Sequence, residues 1–135
     1  MANVLVDSNV LLDIMTEDED WYDWSADALR GQADQSVLVI NPIIYGEVSV
    51  RFARIEDLDE ALPADVFRRD PLPWGAAFLA GKAFISYRRR TGLKKSPLPD
   101  FYIGAHAAIA GLALLTRDPQ RYRTYYPSVE LICPG

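Results

Sequence analysis

Two carboxylates in this chain directly follow apolar runs that are typical of buried strands. Asp7 comes immediately after VLV at 4–6, and Asp118 follows LALL at 112–115 after two further residues. In a parallel sheet, the carboxyl ends of the strands line one ligand crevice. We therefore expect these two acids to lie near each other at one edge of a sheet.

Two further carboxylates are placed near the same edge. Glu47 lies in the second turn of the helix predicted after VLVI at 37–40, and Asp100 opens the helix that leads into LALL. Carboxylates that come close repel one another unless a cation lies between them. A site made of oxygen ligands suits Mg²⁺ or Mn²⁺, and such ions activate water and neutralise charge on a phosphate. The joint placement of the four acids predicts a metal site for phosphodiester chemistry.

Three of the four acids also have a simpler interpretation. Asp118, which precedes a proline, matches the pattern of a helix N-cap. Asp100 is favoured by the positive end of its own helix, and Glu47 is compatible with a solvent-facing helix position. Asp7 has few structural roles after a buried strand. Direct metal binding, metal binding through water and helix capping all stay open for Asp118.

Short strands and helices alternate along the chain, and these elements must position the acids. The strands are predicted at VLV (4–6), VLVI (37–40), LALL (112–115) and SVELI (128–132). Helices are predicted at about 8–15, 21–30, 42–55 (with Asn41 as its N-cap), 56–62, 63–69, 74–90 and 99–110. This alternation predicts an α/β fold with a parallel sheet of about four to five short strands flanked by helices.

Length and composition suit one globular domain spanning 1–135. Half of the 135 residues are hydrophobic and 24% are charged, which argues against disorder. No apolar segment reaches the roughly 20 residues needed to cross a bilayer, and no basic region precedes an apolar run at the N-terminus. Cys133, the single cysteine, excludes an internal disulfide and fits a cytoplasmic protein.

The charge of the chain is strongly segregated. A net charge of −5 taken alone disfavours nucleic acid as a partner. Between Pro71 and Pro99, however, there is no acid, and the basic residues of this segment are Lys82, Arg88, Arg89, Arg90, Lys94 and Lys95. The basic run is either a surface for phosphates or a solvated helix end, where the helix dipole favours Arg and Lys.

The lone histidine and an early aromatic cluster are assigned to structure rather than chemistry. His106 lies six residues after Asp100, so the two side chains do not share a helix face. It is interpreted as a packing or surface histidine. Trp21, Tyr22 and Trp24 are interpreted as core or interface residues rather than a base-stacking platform.

Four segments carry motifs that occur together in a known family. In chain order they are VLVDSNVLLDI, PIIYGEV, PLPDFYIGAHAAIAGLALLTRD and RYRTYYPSVELICP. Together they resemble the PIN-domain ribonucleases, and most closely the VapC toxins of bacterial toxin–antitoxin pairs. The most specific pieces are the D…IGAHA…G…L.TRD run and the N-terminal DSN, whereas 56–95 carries little of the motif.

The resemblance implies a PIN-like parallel sheet and an acidic site made of Asp7, Glu47, Asp100 and Asp118. It implies Mg²⁺- or Mn²⁺-dependent cleavage of single-stranded RNA by water, leaving a 5′-phosphate and a 3′-hydroxyl. It also implies a homodimer and a small VapB-type antitoxin whose C-terminal segment covers the site. Contacts to the site or substrate are expected from Asn9, Ser96 and Thr116, and contacts to RNA phosphates from Arg88, Arg89, Arg90, Lys94 and Lys95.

Two other functions fit parts of the pattern. A PIN fold without catalysis could serve as an RNA-binding module. A Mg²⁺-dependent phosphoryl-transfer protein also places acids at strand ends, but an aspartyl phosphatase needs a second Asp where Asn9 stands. A receiver domain needs a Lys after a later strand, and no Lys follows VLVI or LALL.

Overall fold

The computed structural model describes residues 2–92 and 98–135 of the chain. Lys94, Lys95 and Ser96, for which RNA or site contacts are expected, lie outside the described residues. The described strands are β1 (Ala2–Val6), β2 (Ser36–Ile40), β3 (Phe67–Arg69), β4 (Ala113–Leu115) and β5 (Leu131–Ile132). The helices of the same residues are α1 (Ser8–Met15), α2 (Tyr22–Gln35), α3 (Pro42–Ser49), α4 (Ile55–Ala61), α5 (Trp74–Thr91), α6 (Leu98–Ala110) and α7 (Gln120–Tyr125).

All strand pairs of the sheet are parallel, and the strand order is β3-β2-β1-β4-β5. The apolar runs form its centre: Leu5, Val39 and Leu114 are fully buried. Such continuous burial is expected where helices cover both faces of a parallel sheet. The predicted α/β fold with a parallel sheet of four to five strands is confirmed.

The path of the chain creates a crevice next to β1. From β1 the chain builds β2 and β3 on one side and then crosses over to build β4 on the other. Ligands of open parallel sheets bind at such a reversal, outside the carboxyl ends of the strands. Val6 pairs with Leu115 in register, so the residues that follow them, Asp7 and Thr116, emerge side by side.

Asn41 and His106 tie α3 to α6 in the core. The Asn41 side chain accepts a hydrogen bond from Ile44 N (2.9 Å) and so caps α3, as predicted. Its Nδ2 lies 2.9 Å from His106 Nδ1, which must accept this bond. His106 is buried, and burial lowers its pKa, so it is a neutral packing histidine as predicted.

The helix predicted at 63–69 is wrong, because Phe67–Arg69 forms the edge strand β3. Only Phe67 of this strand is buried, so no apolar alternation marks it in the sequence. Its extended shape comes from pairing with β2, where Phe67 aligns with Leu38. Tertiary pairing has overridden the local pattern.

The helix predicted at 42–55 is shorter than expected, because α3 ends at Ser49. Ser49 Oγ donates to Gly46 O (2.6 Å), and the backbone then tightens into i to i+3 bonds from Arg51 and Phe52. A serine that bonds its own helix backbone competes with the helical pattern. Within the described part of the chain, no helix is both long and apolar enough to cross a membrane.

Candidate active site

A cavity of about 1120 Å³ opens at the carboxyl edge of the sheet, beside β1. All four predicted acids line it, each from a different part of the fold. They come from the end of β1 (Asp7), α3 (Glu47), the first turn of α6 (Asp100) and the loop after β4 (Asp118). The structure thus brings together the four carboxylates that the sequence singles out.

Asp7 is the most deeply buried of these acids, with 3% of its surface exposed. Its Oδ2 accepts hydrogen bonds from Tyr122 Oη (2.8 Å), Thr116 Oγ1 (2.9 Å) and Asn9 Nδ2 (3.4 Å). The pKa of Asp7 is raised from 3.8 to about 6, because burial and the charge of Asp100 together outweigh the lowering effect of the Tyr122 bond. A buried carboxylate in this state favours either a proton or a cation.

Asn9 and Thr116 fix the position of Asp7, which matches their predicted place beside the acids. Asn9 Nδ2 donates to Thr116 Oγ1 (3.2 Å) as well as to Asp7. Thr116 Oγ1 also accepts a bond from the backbone N of Asp118 (3.1 Å). The Thr116 hydroxyl therefore links the loop after β4 to the carboxylate after β1.

Glu47 is half-buried and points into the site, so the solvent-facing interpretation is wrong. Its Oε1 accepts a hydrogen bond from Ser8 Oγ (2.8 Å) at the start of α1. Burial raises the pKa of Glu47, and the negative charge of Asp100 adds to this, against the lowering effect of the Ser8 bond. Ser8 thus holds the α3 carboxylate near Asp7.

Asp100 faces the cavity from the first turn of α6 and forms an ion pair with Arg121 of α7. Burial raises the pKa of Asp100, the charge of Arg121 opposes the rise, and the charge of Asp118 supports it. The electrostatic effects on Asp7, Glu47 and Asp100 connect all four acids. The carboxylates are therefore close enough to repel one another.

Asp118 is the most exposed of the four, with 69% of its side chain accessible. Its Oδ2 accepts a hydrogen bond from Arg117 Nη1 (3.3 Å). The Nε of the same arginine donates to the buried Asp13 (2.8 Å). Of the three roles left open for Asp118, helix capping is excluded, because α7 begins at Gln120 with Pro119 at the N-cap position and no side-chain cap bond. Asp118 is thus held at the cavity rim by Arg117.

The donor set of this cavity fits a hard divalent cation. Four carboxylates with hydroxyl and amide oxygens nearby are the ligand types that Mg²⁺ and Mn²⁺ prefer. As placed in residues 2–92 and 98–135, no three acidic, histidine or cysteine side chains converge closely enough to hold an ion. The acids are instead bound by protein donors, including Tyr122 on Asp7, Ser8 on Glu47 and Arg121 on Asp100.

Part of the cavity lining, here called the basic wall, is basic and aromatic. Arg90, near the end of α5, and Arg121 and Arg123 of α7 line the cavity together with tyrosines. Arg90 also stacks on the Tyr125 ring at 5.8 Å. Arg88 packs on Phe84, and neither it nor Arg89 is among the described residues that line the cavity. The three consecutive arginines therefore point in different directions, as adjacent residues of a helix must.

Two residues of α7 that contact the acids, Arg121 and Tyr122, are absent from the sequence-based set. The signal that could find them is the repeated aromatic pattern of RYRTYY, where Tyr122 and Tyr126 fall four residues apart. Both tyrosines are buried in the structure. A helix that buries this face next to Asp118 necessarily turns neighbouring side chains toward the acids.

Comparison with known families gives a match to the PIN domain over residues 4–125. The chain belongs to the PIN domain family. This match covers all four acids of the cavity and confirms the resemblance derived from the sequence motifs. A comparison with curated proteins gives no match.

Solved structures of PIN-like fold agree with this assignment. The chain is similar to VapBC-1 from nontypeable Haemophilus influenzae (TM-score 0.70, 15% identity, 97% of each chain covered). It is also similar to FitAcB from Neisseria gonorrhoeae (TM-score 0.69, 18% identity, 96% of each chain). A toxin–antitoxin complex from Klebsiella pneumoniae aligns with a TM-score of 0.68 at 22% identity over 98% of each chain. At these identities, the likeness establishes the fold of the PIN domain.

Proposed function

We propose that this PIN domain is a cytoplasmic, Mg²⁺- or Mn²⁺-dependent endoribonuclease that acts as the toxin of a VapBC-type toxin–antitoxin pair. The observation that carries the nuclease proposal is the cavity that four carboxylates, each from a different part of the fold, line together with the arginines of the basic wall. Family membership supports it and argues against the phosphatase and receiver alternatives.

Asp7, Glu47, Asp100 and Asp118 would hold the ion. When bound there, Mg²⁺ or Mn²⁺ lowers the pKa of water and neutralises phosphate charge. The chain's own groups orient these ligands: Tyr122 and Thr116 fix Asp7, and Ser8 fixes Glu47. Mutation of a group that orients a metal ligand typically lowers metal affinity or activity by about 10–100-fold.

The proposal is tested with 3′-labelled single-stranded RNA and purified protein, so that the labelled product carries the new 5′ end. We expect cleavage with Mn²⁺ or Mg²⁺, no cleavage with EDTA, and new ends that carry 5′-phosphates. Asp100→Asn should abolish the cleavage. Cleavage that survives both EDTA and Asp100→Asn would contradict the metal mechanism, and RNA binding without cleavage on any RNA would favour the non-catalytic binding module.

RNA phosphates are proposed to bind along the basic wall, with Arg90 as the main contact of α5. Arg90 lines the cavity, whereas Arg89, one residue before it, is not among the described residues that line it. Arg90→Ala is expected to weaken RNA binding by about 3–10-fold and to flatten its salt dependence by about one phosphate contact. Fluorescence anisotropy of an uncleavable RNA with Ca²⁺ replacing the active metal measures both.

Arg89→Ala is the matched control, since it removes the same charge from the neighbouring position. Its effect on RNA affinity should be about twofold or less. Equal losses for the two variants would mean that the helix attracts RNA only by its overall charge. The roles proposed for Lys94 and Lys95 can be measured in the same way.

An antitoxin of VapB type and a second copy of the chain are the proposed protein partners. The structural neighbours described above are toxin–antitoxin complexes, which supports the first proposal. An exposed apolar stripe on α5, with Trp74 (90% exposed), Phe78 and Ile85, supports a protein contact on that helix. A short neighbouring gene for a DNA-binding protein with a flexible tail would support the toxin role, and its absence would leave the nuclease proposal standing.

A further inference from the structure

Helix α7 carries two consecutive side chains that each bind one of the acids of the cavity. Arg121 Nη1 donates to Asp100 Oδ2, and Tyr122 Oη donates to Asp7 Oδ2 (2.8 Å). The two contacts differ in charge. Tyr122 stays a neutral phenol, because burial and the neighbouring acids raise its pKa well above 10, whereas Arg121 brings a full positive charge.

The Arg121 side chain is held in place on both sides. Its guanidinium lies 5.7 Å from the centre of the Tyr87 ring, and it is bonded to Asp100. The side chains of Arg121 and Asp100 are 35% and 34% exposed, so water screens this pair only in part. Charge-assisted bonds in such partly shielded positions are stronger than ion pairs on the open surface.

The position of this charge matters because Asp100 is one of the four acids of the cavity. The guanidinium bonds one of the two oxygens of this carboxylate and offsets its negative charge, so a cation gains less by binding Asp100. We propose that Arg121 is a built-in competitor for the metal: it neutralises Asp100 in the metal-free protein and so weakens the binding of a divalent ion there. This inference rests on the proposed function, since it takes the acidic cavity to be a metal site.

The competition has a clear physical consequence. Without Arg121, the four acids would repel one another more strongly, and a divalent cation would gain more by entering. With Arg121, part of that gain is already provided by the protein, so the metal binds more weakly and the metal-free fold is more stable.

Mn²⁺ binding in the absence of RNA tests the proposal without any use of activity. Free Mn²⁺ is followed by electron paramagnetic resonance during titration of the full chain at fixed pH and ionic strength. Arg121→Gln is expected to bind Mn²⁺ about tenfold more tightly than wild type, the scale of one charge-assisted hydrogen bond. Arg121→Lys keeps the charge, so its affinity should lie within about threefold of wild type.

Arg123→Gln is the matched control. Arg123 lies on the same helix and lines the same cavity, but it donates to Cys133 Sγ (3.3 Å) rather than to Asp100. Its loss removes the same net charge, and the Mn²⁺ affinity should change by about twofold or less. Tightening equal to that of Arg121→Gln would reduce the effect to net charge and overturn the proposal.

Three further outcomes are decisive. Equal or weaker Mn²⁺ binding by Arg121→Gln, with a cooperative melting curve that shows a folded protein, would contradict competition. If Arg121→Gln does not fold, Arg121→Ala removes the same charge and should show the same tenfold tightening, and wild-type affinity in a folded Arg121→Ala protein contradicts the proposal. If neither wild type nor any variant binds Mn²⁺, the proposed metal site itself fails.

Discussion

Asp7→Asn is expected to abolish RNA cleavage and at the same time to stabilise the metal-free protein at neutral pH. Asp7 is buried with its Oδ2 on Tyr122, Thr116 and Asn9, so the amide loses the charge that a metal requires but keeps much of the packing. Cleavage should fall by at least about 100-fold, because even groups that only orient metal ligands are worth 10–100-fold. Cleavage assays and thermal melts of the two proteins measure both effects.

The pKa of Asp7 determines at which pH the Asp7→Asn substitution raises the free energy of unfolding. The pKa of Asp7 is about 6 in the folded state against 3.8 for the ordinary side chain. Its protonated form therefore favours folding fully below about pH 3.8, and this contribution is lost as the pH rises through about 6. At pH 8 the free energy of unfolding of Asp7→Asn should exceed that of wild type by about 1–3 kcal/mol, since each pKa unit is worth about 1.4 kcal/mol. Near pH 4 the two proteins should converge.

Asp13 offers a matched control with the opposite sign. It is as buried as Asp7, but Arg117 Nε lies 2.8 Å from its Oδ2 and Ser25 Oγ donates to the same oxygen. Asp13→Asn removes the buried charged partner of Arg117, which keeps only the exposed Asp118, and should lower stability at pH 8. Lower stability of Asp7→Asn at pH 8 would show that the hydrogen bonds of the carboxylate outweigh its desolvation. Added Mn²⁺ should raise the melting temperature of wild type but not of Asp7→Asn.

Gly104→Ala is expected to be the most destabilising single-methyl change in the fold. A Cβ at this buried position of α6 would overlap the Tyr126 ring and lie 3.0 Å from Tyr122 Cδ1. Tyr126 cannot easily move away, because its hydroxyl donates to Phe101 O (2.8 Å) in the core. We expect the free energy of unfolding to fall by at least about 2 kcal/mol, which chemical denaturation measures.

Gly31→Ala is the control for this prediction. Gly31 lies inside α2, and a Cβ there would have no neighbour within 4 Å. The added methyl should stabilise the helix by about 0.5–1 kcal/mol, because alanine has the higher helix propensity. Stability of Gly104→Ala within about 0.5 kcal/mol of wild type would mean that α6 and α7 can separate without cost.

Much of the fold was predictable because its signals are local. The runs at 4–6, 37–40 and 112–115 are apolar throughout, which only burial on both faces explains, and each lies within a strand or one residue of its end. Strand β3 was not predictable, because one buried residue makes no pattern and its extended backbone depends on pairing with β2. The early end of α3 likewise depends on a bond that Ser49 makes with its own helix.

The sequence by itself determined which acids can meet, whereas only the tertiary structure decided what holds them. Asp7 and Asp118 follow strands, and strand ends of a parallel sheet share one edge, so their approach follows from position in the chain. The contacts of Arg121 with Asp100 and of Tyr122 with Asp7 span 21 and 115 residues. They depend on close packing at Gly104 of α6, where the Tyr122 and Tyr126 rings lie against the glycine. This is a fit of shape between distant segments, which no local sequence pattern predicts.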